Sequence, residues 1–295
     1  MGLKLSRKIK NIKNKILYKI KDTNLSTYYF FRFIGAFFKF IYSINQKKKN
    51  IHFSKKFDEI NKFEYKITSQ NNEDGIIEYI FKKINIEKIN FIEIGFDYYE
   101  NNSVNFFKNV SKGVLIDSSE EKVKILNFLV KLIYRNKKIN VLNNFVTKSN
   151  INEIISENFN DSDEIDFLSL DLDGIDYYVL EELKIRPKFL CLEYNFWYGN
   201  SVKCSVPYSH SFRWQMGSTY SGASIAAISE LAKNKGYSLI ALESASVNAF
   251  FVRNDLKKNF KTLDYRSSFS YPSKYNLKEI EKAQTELFKK KLNYF

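Results

Sequence analysis

Phe91-Ile92-Glu93-Ile94-Gly95-Phe96-Asp97 is the stretch on which the reading of the fold turns. The apolar run from Asn90 to Ile94 reads as a short strand, and Gly95 ends it. A glycine at that position lets backbone approach a ligand closely, while Glu93 can bind a ligand hydroxyl or ammonium. A tight strand-to-helix turn holding no ligand would use the same glycine.

Outward from this stretch the chain alternates helical spacing with short β-rich runs. Helix is expected over 73–84, 102–109, 120–135, 151–158, 177–183 and 223–235. Strands are expected over 90–94, 113–116, 139–142, 166–170 and 189–193, with a closing hairpin of 237–242 and 248–253. Such alternation implies a mostly parallel sheet, in which ligands bind beyond the carboxyl ends of the strands. Those ends carry Gly95, Asp117, Asp171 and Glu193. Polar residues at four strand ends point to a site.

Asp117 follows Gly95 by twenty-two residues, where a carboxylate can accept both hydroxyls of a ribose; Ser118 is its polar neighbour. Asp also caps helices well, so capping is the plainer use. The fourth strand ends in Asp171-Leu172-Asp173-Gly174-Ile175-Asp176. Two carboxylates there can bind an ammonium, orient a hydroxyl or hold a divalent cation, and Asp173 or Asp176 can instead cap a helix. No metal is assigned. After Glu193-Tyr194-Asn195 a long irregular stretch runs to about Gly222, rich in aromatic and hydrogen-bonding residues. Loops of that length are commonly lids or binding loops, and this composition suits a sugar-like acceptor. Within it, His210 is a candidate general base, although a lone surface histidine is more often incidental.

Charge divides the chain at about residue 66. Residues 1–66 hold 17 of the 47 Lys and Arg but 4 of the 33 Asp and Glu, and the remainder is nearly neutral. The net +14 therefore belongs to an N-terminal extension and argues against nucleic acid as the partner. Leu5, Ile9, Ile12, Ile16 and Ile20 among lysines spell a basic amphipathic helix. Residues 28–42 form an aromatic second element, at roughly 22 Å too short for a bilayer core of about 30 Å. Residues 43–56 read as a linker. The extension suits an anchor on an anionic membrane surface, or simple packing on the domain that follows. Cys191 and Cys204 build no disulfide framework or zinc site, and no cleavable signal is evident, so the inner face of the membrane or the cytoplasm is expected.

Five parallel strands closed by a late antiparallel hairpin, with an acidic residue before a glycine turn, resemble the Rossmann-like class I methyltransferases. Further strings resemble the FkbM-related bacterial group across about residues 68–253. They are Ser69-Gln70-Asn71-Asn72-Glu73-Asp74-Gly75, Asn101-Asn102-Ser103, Asp171 to Tyr177, Glu193-Tyr194-Asn195, Tyr220 to Ser224 and Asn248 to Val252. The sequence departs from the glycine motif, with Asp97 and Tyr99 at the second and third glycine positions. Charge and periodicity mark 1–66 as a helical extension with its linker, and the resemblance implies a methyltransferase domain (67–295) with a mostly parallel seven-stranded sheet. It implies S-adenosylmethionine bound through Glu93, Gly95, Asp97, Asp117, Ser118 and Asp171. A sugar or lipid-linked glycan would be O-methylated with Asp173, Glu193 and His210 on the acceptor side. The competing readings are a metal-dependent nucleotide-sugar glycosyltransferase using Asp171 and Asp173, and a non-catalytic membrane scaffold.

Overall fold

The computed structural model describes residues 27, 28, 30, 31, 33–35, 37, 38, 41, 59–98 and 100–295. The chain divides into two compact units, Met1–Gln46 and Lys47–Phe295. In the first, the described residues between 27 and 41 are helical, and Phe30, Phe31 and Phe38 are exposed. The basic helix expected at 5–20 and the linker at 43–56 lie outside the described residues. Among those described, no helix is long and apolar enough to cross a membrane. Residues 59–66, grouped with the extension by charge, sit in the second unit. There Ile60 and Asn61 are buried, and Glu64 accepts from the Ser244 backbone N–H at 3.0 Å.

The second unit holds β1 (Ile89–Ile94), β2 (Val110–Asp117), β3 (Lys138–Asn143), β4 (Phe167–Leu170) and β5 (Phe189–Glu193). Then come β6 (Cys204–Ser205), β7 (Tyr237–Leu242), β8 (Asn248–Arg253) and β9 (Asn293–Tyr294). Its α-helices are α1 (Glu73–Lys83), α2 (Glu120–Ile133), α3 (Ile151–Asn158), α4 (Asp176–Glu182), α5 (Ile225–Asn234), α6 (Tyr265–Ser268) and α7 (Leu277–Leu287). Seven strands form one sheet in the order β3-β2-β1-β4-β5-β8-β7. β1 to β5 pair in parallel, and β8 runs antiparallel between β5 and β7. This is a Rossmann-like, mostly parallel seven-stranded sheet with a late antiparallel hairpin, as the alternation and closing strands predict.

The strands read as continuous apolar runs because both faces are covered. Parallel register sets Phe91 beside Phe167 and Phe167 beside Phe189. The latter pair stacks at 4.6 Å, and Phe81 of α1 meets Phe189 edge-on at 5.2 Å. α1 buries Ile76, Ile77 and Ile80 with Phe81, each worth roughly 1.5–3 kcal/mol. On the other face Ile94, Leu170 and Leu192 pack with α4 and α5 residues such as Val179 and Ile228. Ser119 caps α2 by accepting from Lys122 N, and Ser224 caps α5 by accepting from Ala227 N.

Three local expectations change. The segment expected as helix over 102–109 is a 3-10 turn at Val104–Asn109, because chain on both sides is tethered: Asn101 Oδ1 accepts from Val104 N, and Val110 already pairs with Ile89. β2 starts at Val110, three residues before the expected Gly113, since its first pairings come from β1 and not from its own apolar pattern. Within the long stretch after Asn195, β6 pairs with β9 near the C-terminus.

Candidate functional site

At the carboxyl rim, strand order reverses between β1 and β4, and a cavity of about 490 Å³ opens there. Gly95 makes the rim possible. Its φ is +76°, and a Cβ there would lie 1.6 Å from the Asp171 carbonyl oxygen. Gly95 N donates to Ile116 O at 2.8 Å and Asp171 N to Ile94 O at 2.9 Å, so β1, β2 and β4 converge on this point.

Eight of the nine residues anticipated for the site line this cavity: Glu93, Gly95, Asp97, Asp117, Ser118, Asp171, Asp173 and Glu193. His210 does not. It is exposed, and its Nδ1 pairs with Tyr208 Oη at 3.1 Å. The reason is a turn in which Phe212 N donates to Ser209 O, so that Phe212, Arg213 and Trp214 face the cavity in its place. Phe212 seats on Gly174, where a Cβ would meet its ring at 2.3 Å.

The carboxylates differ in what they hold. Both oxygens of buried Glu93 are engaged, Oε1 accepting from Asn102 N at 2.6 Å and Oε2 from Ser103 Oγ. Burial raises its carboxyl to about 7 against those hydrogen bonds. Glu93 thus shapes the wall from within, a structural task that a ligand contact would have to share. Asp117 accepts from Ser119 N at 2.7 Å, Phe96 N at 3.3 Å and Lys122 Nζ at 3.2 Å. Asp176 is wholly a loop clasp, accepting from Leu172 N at 2.6 Å and Gly174 N at 2.9 Å. This leaves Asp173 unused as a cap, with a left-handed φ of +56° that Asp tolerates better than most residues.

Asp171, Asp173 and Glu193 come together, each offering an oxygen within 4.8 Å of the others. Asp171 and Glu193 face each other carboxyl to carboxyl, so the charge of each opposes ionisation of the other. Burial first, then the charges of Asp173 and Asp176, pushes Asp171 up to about 8. Glu193 is raised well above its ordinary range, first by burial and then by Asp171. Asp173 rises with lost solvation, while Lys122 works against the shift. The cluster is proton-rich and favours a cationic guest.

Lys122 and Phe145 are among the lining residues that escaped the sequence reading. Lys122 lies in the first turn of α2, five residues after Asp117, a spacing that could have signalled the pair. Phe145 follows β3, and the Arg213 guanidinium stacks on its ring at 3.9 Å. Nothing local marks that contact, because its two residues lie far apart in the chain.

No protein-family model matches this chain, and no curated protein matches it. Solved structures do show likeness. The N-terminal domain of EvdMO1 with S-adenosylhomocysteine bound is 8% identical, covering 63% of this chain and 80% of its own, with a TM-score of 0.42. Magnesium protoporphyrin IX methyltransferase from Synechocystis PCC 6803 is 12% identical over 61% of this chain and 81% of its own, with a TM-score of 0.41. An S-adenosylmethionine-dependent methyltransferase from Clostridium acetobutylicum ATCC 824 is 10% identical, covering 61% and 90%, with a TM-score of 0.37. The assignment of fold class rests on strand order and register.

Proposed function

We propose that this protein is an S-adenosylmethionine-dependent O-methyltransferase of the FkbM-related group, acting on a sugar or lipid-linked glycan. The observation that carries the reading is the meeting of Asp117, Asp171, Asp173 and Glu193 around one cavity at the switch point of this sheet. The donor set fits the cofactor. Asp117 is positioned for ribose hydroxyls, the Asp171 region for an ammonium, and Phe145 with Val146 supplies apolar wall for a planar base. S-adenosylmethionine, when bound, supplies an electrophilic methyl on a sulfonium. Asp173 and Glu193 orient the acceptor hydroxyl, and a carboxylate of that pair, once ionised, is suited to take its proton.

Titration calorimetry of the full chain with S-adenosylhomocysteine tests this. A dissociation constant on the order of micromolar is expected, weakened at least about tenfold by Asp117→Ala. With S-adenosylmethionine at pH 7, the entering cation should favour the ionised forms of Asp171 and Glu193, whose proton affinity is raised by burial and by their neighbours' charge. Binding should then release up to about one proton, read from the dependence of heat on buffer ionisation, and Asp171→Asn should abolish the release. Absence of heat with either nucleoside overturns the reading. The three-carboxylate cluster also suits a divalent cation. Heat only with manganese and uridine diphosphate would install the glycosyltransferase in its place, and heat with neither would leave the scaffold.

We also propose that residues 1–42 hold the enzyme on the inner face of the membrane, lysines on headgroups and phenylalanines in the interface. Phe30, Phe31 and Phe38 are exposed, which supports this reading. The full chain should co-sediment with vesicles of phosphatidylserine and phosphatidylcholine and detach as salt rises. Equal recovery on purely zwitterionic vesicles would refute the electrostatic part.

A further inference from the structure

A second cavity, about 1060 Å³, opens at the same rim beyond β5, β8 and β7. It shares no lining residue with the first. Small-molecule sites usually enclose about 300–1,000 Å³, so this one has room for more than a monosaccharide-sized guest. β5 divides the two. Successive residues of a strand face opposite sides, and Glu193 lines the first cavity while Tyr194 lines the second.

The walls are fixed by bonds within the protein. One is the β7–β8 turn, where Glu243 accepts from Val247 N at 2.6 Å and Asn248 N at 3.2 Å. The other is residues 261–274, tied by Leu263 N to Leu239 O at 2.8 Å and by Ser246 Oγ to Ser270 O at 2.7 Å. Between them stands a row of rings. Phe269 lies 6.4 Å from Tyr194 and 4.9 Å, edge-on, from Tyr271. Tyr194, 3% exposed, closes the floor behind them, with its hydroxyl sealed off beside Ser246.

The chemistry of the lining selects the guest. Thr262, Ser267, Ser268 and Ser273 contribute hydroxyls, which both donate and accept. A ligand that is itself made of hydroxyls needs that double capacity, and aromatic faces suit the apolar side of a pyranose. Formal charge is mixed and largely engaged, with Lys261 and Lys274 beside Asp264, the cap of α6, and with Glu243 turned to the backbone of its own turn. We propose that this second cavity is a carbohydrate-binding site whose rings stack a pyranose and whose seryl and threonyl hydroxyls hydrogen-bond it. The inference stands on these residues and does not require methyl transfer in the first cavity.

Saturation-transfer NMR on the full chain tests it, with no nucleoside present. The probes are the methyl glycosides of glucose, galactose, mannose, N-acetylglucosamine and glucuronic acid. At least one should give a saturable signal with a dissociation constant on the order of millimolar or tighter. Ser268→Trp, which fills the cavity from its half-buried edge, should abolish it. Thr262→Val, which keeps the shape of an exposed lining residue and removes its hydroxyl, should weaken it roughly three- to tenfold while leaving the melting temperature unchanged. A purely structural Thr262 would not separate those two readouts. S-adenosylhomocysteine should neither compete nor bind differently to either variant. Silence from all five sugars, a signal that survives Ser268→Trp, or competition by the nucleoside would each overturn the proposal.

Discussion

Gly95→Ala is expected to lower the melting temperature by roughly 10 °C and to abolish S-adenosylhomocysteine binding. Two costs add. A non-glycine residue in left-handed conformation costs about 1–2 kcal/mol, and Gly95 has a φ of +76°. The larger cost is steric, since the new Cβ would stand 1.6 Å from the Asp171 carbonyl oxygen. Neither side can yield cheaply. Gly95 N is bonded to Ile116 O and Asp171 N to Ile94 O, so separation would open the centre of the sheet. A total of roughly 3–5 kcal/mol belongs to the severe class of substitutions, and about 2–4 °C per kcal/mol applies to a domain of this size. Gly217→Ala is the control. Its φ is +84°, but a Cβ there would meet nothing within 4 Å, so only the conformational cost remains. Equal melting shifts in the two variants would refute the steric account.

The second large effect falls on a carboxylate outside the cavity. Asp74 is fully buried, and its Oδ2 accepts from Ile67 N at 2.6 Å, Thr68 N at 2.8 Å, Ser69 N at 2.9 Å and Ser69 Oγ at 2.7 Å. Oδ1 accepts from Thr68 Oγ1 at 3.1 Å. Burial raises this carboxyl, and the three backbone donors with Ser69 Oγ oppose the shift. Removing the side chain strands three backbone donors, each left with a desolvation cost of about 1–3 kcal/mol unless water enters. Asp74→Ala should therefore cost roughly 3–5 kcal/mol, seen in urea as a lower midpoint at unchanged slope. The damage should reach the site. Thr68 O accepts from Asn101 N and Thr68 Oγ1 from Asn105 N, which hold the segment that carries Asn101 and Asn102 into the cavity wall. Asp74→Asn keeps the volume and one acceptor oxygen and should fall between. A loss below about 1 kcal/mol in Asp74→Ala would show that the loop stands without its clasp.

The sequence alone determined the seven strands of the main sheet, the parallel arrangement of the first five and the residues at their carboxyl ends. A parallel strand buried on both faces must be apolar throughout, so a polar residue at its end stands out against the run. Glu93, Asp117, Asp171 and Glu193 were legible for that reason. Tertiary structure alone decided what each carboxylate does. That Glu93 turns inward to Asn102 and Ser103, that Asp171 comes to face Glu193, and that His210 faces away all depend on loops meeting across the rim. The second cavity was equally hidden. It exists because residues 261–274 are laid against the edge of β7 by Leu263 and Ser270, contacts between distant positions that no periodicity records. Local patterns report burial along one element, whereas a site is a set of distances between elements, and those are set only when the sheet closes.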